Sequence, residues 1–176
     1  MTRDILPAFA LAAGLLAGAG NASAASAPED VTRFEQFARQ AGPFCAQASS
    51  RACFERAWTF ADLDRDGLLS LPEAQRMHAL VRNWTLQHRA ELAEPDRRGL
   101  AVGLLVVQMV GLDELFRSYD ADGDRRLTKP ELLADVRLDE RPLHVLSRDP
   151  KAVNWASLQA RLGPAAMLLG DLIPKA

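Results

Sequence analysis

Residues 62–73, Asp-Leu-Asp-Arg-Asp-Gly-Leu-Leu-Ser-Leu-Pro-Glu, and residues 120–131, Asp-Ala-Asp-Gly-Asp-Arg-Arg-Leu-Thr-Lys-Pro-Glu, align without a gap. Both carry aspartate at the first, third and fifth positions, leucine at the eighth, a hydroxyl at the ninth, proline at the eleventh and glutamate at the twelfth. Carboxylates crowded in this way repel one another unless something compensates their charge. The ends of each segment have a simple structural reading: Ser70-x-x-Glu73 and Thr128-x-x-Glu131 are spaced as helix capping boxes, with proline tolerated in the first turn. That reading accounts for the glutamates. It leaves three alternating aspartates, twice in the same frame, unexplained.

A hard divalent cation does explain them. Calcium takes six to eight oxygen donors at about 2.3–2.6 Å, and the alternation aims three carboxylates inward as the chain turns. On these residues both segments resemble loops of the EF-hand family, in which a twelve-residue calcium loop joins two helices. The resemblance spans roughly residues 54–80 and 112–138. It implies Asp62, Asp64, Asp66, Leu68 through its carbonyl, Ser70 and Glu73 as ligands in the first loop. In the second it implies Asp120, Asp122, Asp124, Arg126 through its carbonyl, Thr128 and Glu131. Phe116 and Tyr119 precede the second loop as aromatics commonly do in such hands, whereas before the first Trp58 is matched and Ala61 replaces the other aromatic.

The chain departs from the family pattern in two places. Arg125 stands at the sixth position, where Gly67 stands in the first loop; a side chain at positive φ costs about 1–2 kcal/mol there, so the second loop is expected to fill with lower affinity. The loops are also separated by the 46 residues 74–119. The resemblance still implies a short antiparallel contact between Leu69 and Leu127, with the intervening segment folded back as extra helix.

The expected fold is all-α, an EF-hand pair with additional helices in one bundle, and 176 residues suit one domain. A helix over 30–41 presents Val31, Phe34, Phe37 and Ala38 on one face, and Gly42-Pro43 is expected to end it. A second, over about 51–61, has Ser50 as its expected cap and places Phe54 one turn from Trp58. The capping box at Ser70 opens a long helix towards residue 94, stopped by Pro95, and the one at Thr128 opens a helix over 132–138. Asp149-Pro150 starts a last helix that Gly163-Pro164 ends, with Val153, Trp155, Leu158 and Leu162 as its apolar side. Residues 100–111 are apolar all round, which predicts a helix at the centre of the bundle; the competing reading is a face that meets a partner or a membrane. Gly99 and Gly103 permit close approach of another helix. No period-two strand pattern extends over any useful length.

Residues 1–24 read as a secretory signal peptide, with an apolar run over 5–20 and small residues Ala22-Ser23-Ala24 at the cleavage positions, leaving a mature domain of 25–176. Arg3 is offset by Asp4, so an uncleaved anchor is the competing reading, although the run is shorter than the ~20 residues of a span. The mature part is expected to be exported, periplasmic or secreted, without a membrane span. Two cysteines, Cys45 and Cys53, fit that setting. On one continuous helix they would be about 12 Å apart, beyond the roughly 7 Å limit of a disulfide, so a bridge requires a turn between them. Two buried thiols are the alternative.

With 21 basic and 23 acidic residues the chain presents no field that argues for nucleic acid. His78, His88 and His144 lack a paired zinc spacing, His78 and His88 are expected to be exposed, and no nucleophile turn or phosphate loop occurs. The expectation is therefore not an enzyme but a binder of Ca2+, by which ions stabilise an exported domain or are buffered. The alternative is a calcium-dependent module that exposes an apolar groove to an unknown protein partner. Only Met77, Met109 and Met167 lie beyond the leader, few for an adaptable groove.

Overall fold

The structure, a computed structural model, describes residues 28–169; the leader and its cleavage site lie outside the described residues. The order is α1 Pro28–Gln47, α2 Ser50–Ala61, β1 Leu69–Ser70, α3 Leu71–Gln87, α4 Glu94–Val110, α5 Leu112–Tyr119, β2 Arg126–Leu127, and the single turns α6 Lys129–Leu132 and α7 Leu143–Leu146. A 3-10 turn Pro150–Ala152, α8 Trp155–Leu162 and a 3-10 segment Gly163–Leu169 complete it. The fold is essentially all-α. Among the described residues two strands form one short antiparallel ladder, Leu69 opposite Leu127 and Ser70 opposite Arg126. Both leucines are fully buried, and each strand of the ladder belongs to one of the two acidic segments.

The helix expected to stop at Gly42-Pro43 instead continues to Gln47 with Pro43 inside it. Proline removes one ladder bond, but Phe34, Ala41 and Cys45 are buried along the same stripe, so packing outweighs the local loss. Cys45 is bonded to Cys53, with Cα atoms 5.1 Å apart, across the turn at 48–49. The cap of α2 is Ser49, whose side chain accepts from the Ala52 N–H, rather than Ser50. Ser50 is inside the helix and fully buried: its hydroxyl donates to the Asp139 carbonyl at 2.8 Å and accepts from the Asp139 N–H at 2.9 Å. It fastens α2 to a segment 89 residues away.

The expected helix from Ser70 towards 94 ends at Gln87, because the Glu91 and Leu92 N–H groups both return to the His88 carbonyl and close a turn. Pro95 opens α4 instead of stopping α3, which suits a residue lacking the N–H that a first turn leaves unpaired. α4 is not central. Leu100, Val106 and Val107 face inward, while Leu105 and Met109 are 43% and 56% exposed. At Gly111, φ 91°, the chain bends by 89° into α5. Among the described residues no single helix is long and apolar enough to cross a membrane.

The helix expected over 132–138 is only the turn Lys129–Leu132. Longer-range bonds win there: Arg137 N–H donates to the Ala152 carbonyl and Asn154 N–H to the Asp135 carbonyl, both at 2.8 Å, around a bridge of Val136 with Val153. Asp149 caps the 3-10 turn through the Lys151 N–H, and Asn154 caps α8. Two apolar clusters result. One joins α1, α2, α3 and α5 with the leucines of the ladder; the other packs Val106, Val107 and Leu115 against Leu158 and Leu162.

Candidate metal centres

Each loop starts where an entering helix ends, at Ala61 or Tyr119, and stops where the ninth residue caps the next helix. The two then repeat one another in most of their hydrogen bonds, with a difference at the first position: Asp120 Oδ1 accepts from the Gly123 N–H at 2.8 Å, whereas Asp62 Oδ1 has no hydrogen-bond partner. The first-position carboxylate accepts from the sixth-position N–H, Gly67 to Asp62 and Arg125 to Asp120, at 3.0 Å in both. The third accepts from the fifth, Asp66 to Asp64 and Asp124 to Asp122, at 3.1 Å in both. The fifth accepts from the seventh, Leu68 to Asp66 at 2.9 Å and Arg126 to Asp124 at 2.7 Å. The twelfth reaches back across the loop: Glu73 Oε1 accepts from the Leu63 N–H at 2.6 Å, and Glu131 Oε1 from the Ala121 N–H at 2.9 Å.

The other oxygen of each glutamate closes the capping box. Glu73 Oε2 accepts from the Ser70 N–H and hydroxyl, and Glu131 Oε2 from the Thr128 N–H and hydroxyl, at 2.8 and 2.7 Å in each case. Burial opposes ionisation of Glu73, but these bonds, with those from Leu63 and Asp64, outweigh it and hold the carboxyl below the usual range. Glu131 is lowered chiefly by the Thr128 N–H and hydroxyl. Capping and the acidic loop thus share each glutamate.

One carboxylate oxygen from each of Asp62, Asp64 and Glu73 lies within 4.8 Å of the others, and so do oxygens of Asp120, Asp122 and Asp124. Donors about 2.4 Å from one centre are separated by at most about 4.8 Å, so both trios fit the shell of a single calcium ion. Asp62 is 8% exposed, and its Oδ1 is buried with no hydrogen-bond partner. A buried carboxylate oxygen left unpaired is costly unless a cation meets it. Leu68 and Arg126 occupy the seventh position of their loops, and the ninth-position hydroxyls of Ser70 and Thr128 donate to Glu73 and Glu131. Glu131 stands outside the second trio. Asp66, outside the first, is paired with the guanidinium of Arg126 from the other loop.

Backbone strain is distributed differently from expectation. Arg125 does adopt positive φ, 67°, but so does Arg65 at the fourth position of the first loop, φ 62°. Gly67 at the sixth position of the first loop and Gly123 at the fourth of the second fill the complementary places, φ 84° and 76°. Each loop therefore carries one glycine and one arginine in left-handed backbone, in exchanged order. Arg125 does not single out the second loop for strain.

The histidines expected at the surface are half-buried. His88 stacks on Trp84 and places Nε2 3.3 Å from Glu35 Oε1, while burial, with the charge of Arg82, pushes His78 down to about 4. Sequence reasoning missed a buried network beside the second loop. Tyr119 donates its hydroxyl to Asp135 Oδ2 at 2.9 Å, and Arg161 reaches the same oxygen through Nε at 2.9 Å. The Arg161 guanidinium also covers the Tyr119 ring and donates to the Ser118 carbonyl. Burial raises the Tyr119 phenol well above its ordinary range. No spacing in the sequence links residues 119, 135 and 161. Comparison of the chain with protein-family profiles, with curated proteins and with solved structures finds no match.

Proposed function

We propose that this chain is an exported EF-hand-type protein that binds calcium through its two acidic loops, the ions stabilising the helical domain or being buffered by it. The observation that carries this reading is the buried, unpartnered Oδ1 of Asp62 within a trio of carboxylates spaced for one ion. The all-oxygen donor set suits a hard cation, and the repeated hydrogen-bond frame favours two sites of one kind. The bond between Cys45 and Cys53 supports an oxidising compartment. The test is calorimetric titration with calcium of the chain from residue 25, alongside Glu73→Gln and Glu131→Gln. Two sites in the parent and one in each variant are expected. Absence of both binding heat and a raised melting temperature at millimolar calcium overturns the reading.

The exposed apolar side of α4, at Leu105 and Met109, favours a second reading as a calcium-dependent docking module. A large calcium-induced rise in binding of a hydrophobic dye selects that reading over stabilisation.

A further inference from the structure

We propose that the apolar cavity between α1, α2, α3 and the start of α4 is a binding site for an uncharged, lipid-like small molecule, independently of whether the loops hold calcium. The cavity has a volume of about 610 Å³. That lies within the roughly 300–1,000 Å³ of small-molecule sites, and an apolar cavity of only about 150 Å³ already accommodates benzene.

The space arises from the sequence. Ala38 and Ala41 on α1 and Ala57 and Ala61 on α2 line it where larger residues would close a helical core. The aromatic rings of Phe34, Phe37, Phe54, Trp58 and Trp84 form much of the remaining wall. Water finds few partners against such a surface, and an empty void forfeits dispersion contacts, so an apolar occupant is favoured. Leu69 also lines the cavity, placing it directly against the ladder that joins the loops.

The polar groups select the charge of the occupant. Glu35, Glu91 and Asp96 line the cavity against one guanidinium, Arg39. Arg39 is 3.7 Å from a Glu35 oxygen and His88 is 3.3 Å from the other, so both potential cations already face an acid. A carboxylate head would meet Glu35 and Glu91 beside one guanidinium that already faces Glu35. Trp58, 4% exposed, keeps a buried indole N–H without an acceptor. A single hydroxyl or carbonyl oxygen on an otherwise apolar molecule supplies one.

The test is equilibrium dialysis of the full chain against 1-decanol and decanoate at neutral pH, in calcium and in chelator. Saturable binding of one decanol per chain is expected, with decanoate at least tenfold weaker. Nuclear Overhauser contacts from the decanol chain to the rings of Trp58 and Trp84 should locate it without any substitution. Ala57→Leu and Ala61→Leu, which fill the cavity from α2, should weaken decanol binding at least tenfold while the melting temperature is kept. Absence of saturable decanol binding, equal binding of decanoate, or contacts confined to Trp155 overturns the proposal. Undiminished binding in folded variants also overturns it.

Discussion

Asp66 of the first loop and Arg126 of the second are joined by an ion pair across the two-residue ladder. Asp66 is thereby held by the other loop's cation, away from the trio formed by Asp62, Asp64 and Glu73. A calcium ion that recruits Asp66 must displace that guanidinium. Both side chains are substantially exposed, so the pair is worth at most about 1 kcal/mol. Arg126→Ala should tighten the first loop by no more than about fivefold. Calcium titration in a Glu131→Gln background reads this loop alone; a weaker first site in the Arg126→Ala protein contradicts the argument.

The exchanged arginines predict symmetry where the sequence suggests asymmetry. Arg65 and Arg125 each hold a side chain at positive φ, at about 1–2 kcal/mol of strain, partly offset in a glycine variant by lost chain entropy. Arg65→Gly and Arg125→Gly should therefore each stabilise the protein by up to about 1 kcal/mol. Thermal unfolding of the two variants measures it. A gain confined to Arg125→Gly restores the view that only the second loop is strained.

The loops were legible in the sequence because their determinants are local: alternating aspartates, a ninth-position hydroxyl and a twelfth-position glutamate act within twelve residues. The Leu69 and Leu127 pairing is implied by the family resemblance and not by the spacing, and the ladder shows it. Helix ends were legible only where local chemistry acts unopposed. Pro43 and Ser50 signal a stop and a cap, but buried stripes and bonds to residue 139 decide otherwise. Residues 132–138 have helical composition, yet the bridge of Val136 with Val153 claims their backbone. The Tyr119, Asp135 and Arg161 network depends on where α8 docks, which no local pattern encodes.

The bond between Cys45 and Cys53 closes a short loop, eight residues in separation, around the end of α1 that Pro43 weakens. The chain-entropy relation gives about 2.5 kcal/mol for such a loop. Reduction should lower the melting temperature by roughly 5–10 °C, and the last turn of α1 should lose amide protection first. Equal protection across α1 in the reduced protein shows that packing alone holds that turn.

Removing Arg161 leaves Asp135, 2% exposed, with the Tyr119 hydroxyl but no cation. An uncompensated buried charge typically costs about 3–5 kcal/mol, so Arg161→Ala should fall near the lower end because one hydrogen bond remains. Adding Asp135→Asn removes the stranded charge and should recover part of the loss. Denaturant unfolding of both variants measures the recovery. Additive losses show that the pair does not act as a unit.

The pH dependence should carry the mark of His78. Burial, reinforced by Arg82, lowers its pKa from 6.5 to about 4 in the folded protein. Between those values the unfolded chain binds a proton that the folded chain refuses, so protonation favours unfolding. Stability should be flat above about pH 6.5 and fall as pH drops from there towards 4. The lowered carboxyls of Glu73 and Glu131 act in the same direction, but only once pH falls through the acid range where they gain protons. The interval from about pH 6.5 to 5 therefore separates His78 from these two carboxyls, and the His78→Gln comparison separates it from His88 and His144. His78→Gln should flatten the stability curve there, measured by denaturant midpoints at closely spaced pH. An unchanged slope in that interval assigns the effect to other groups.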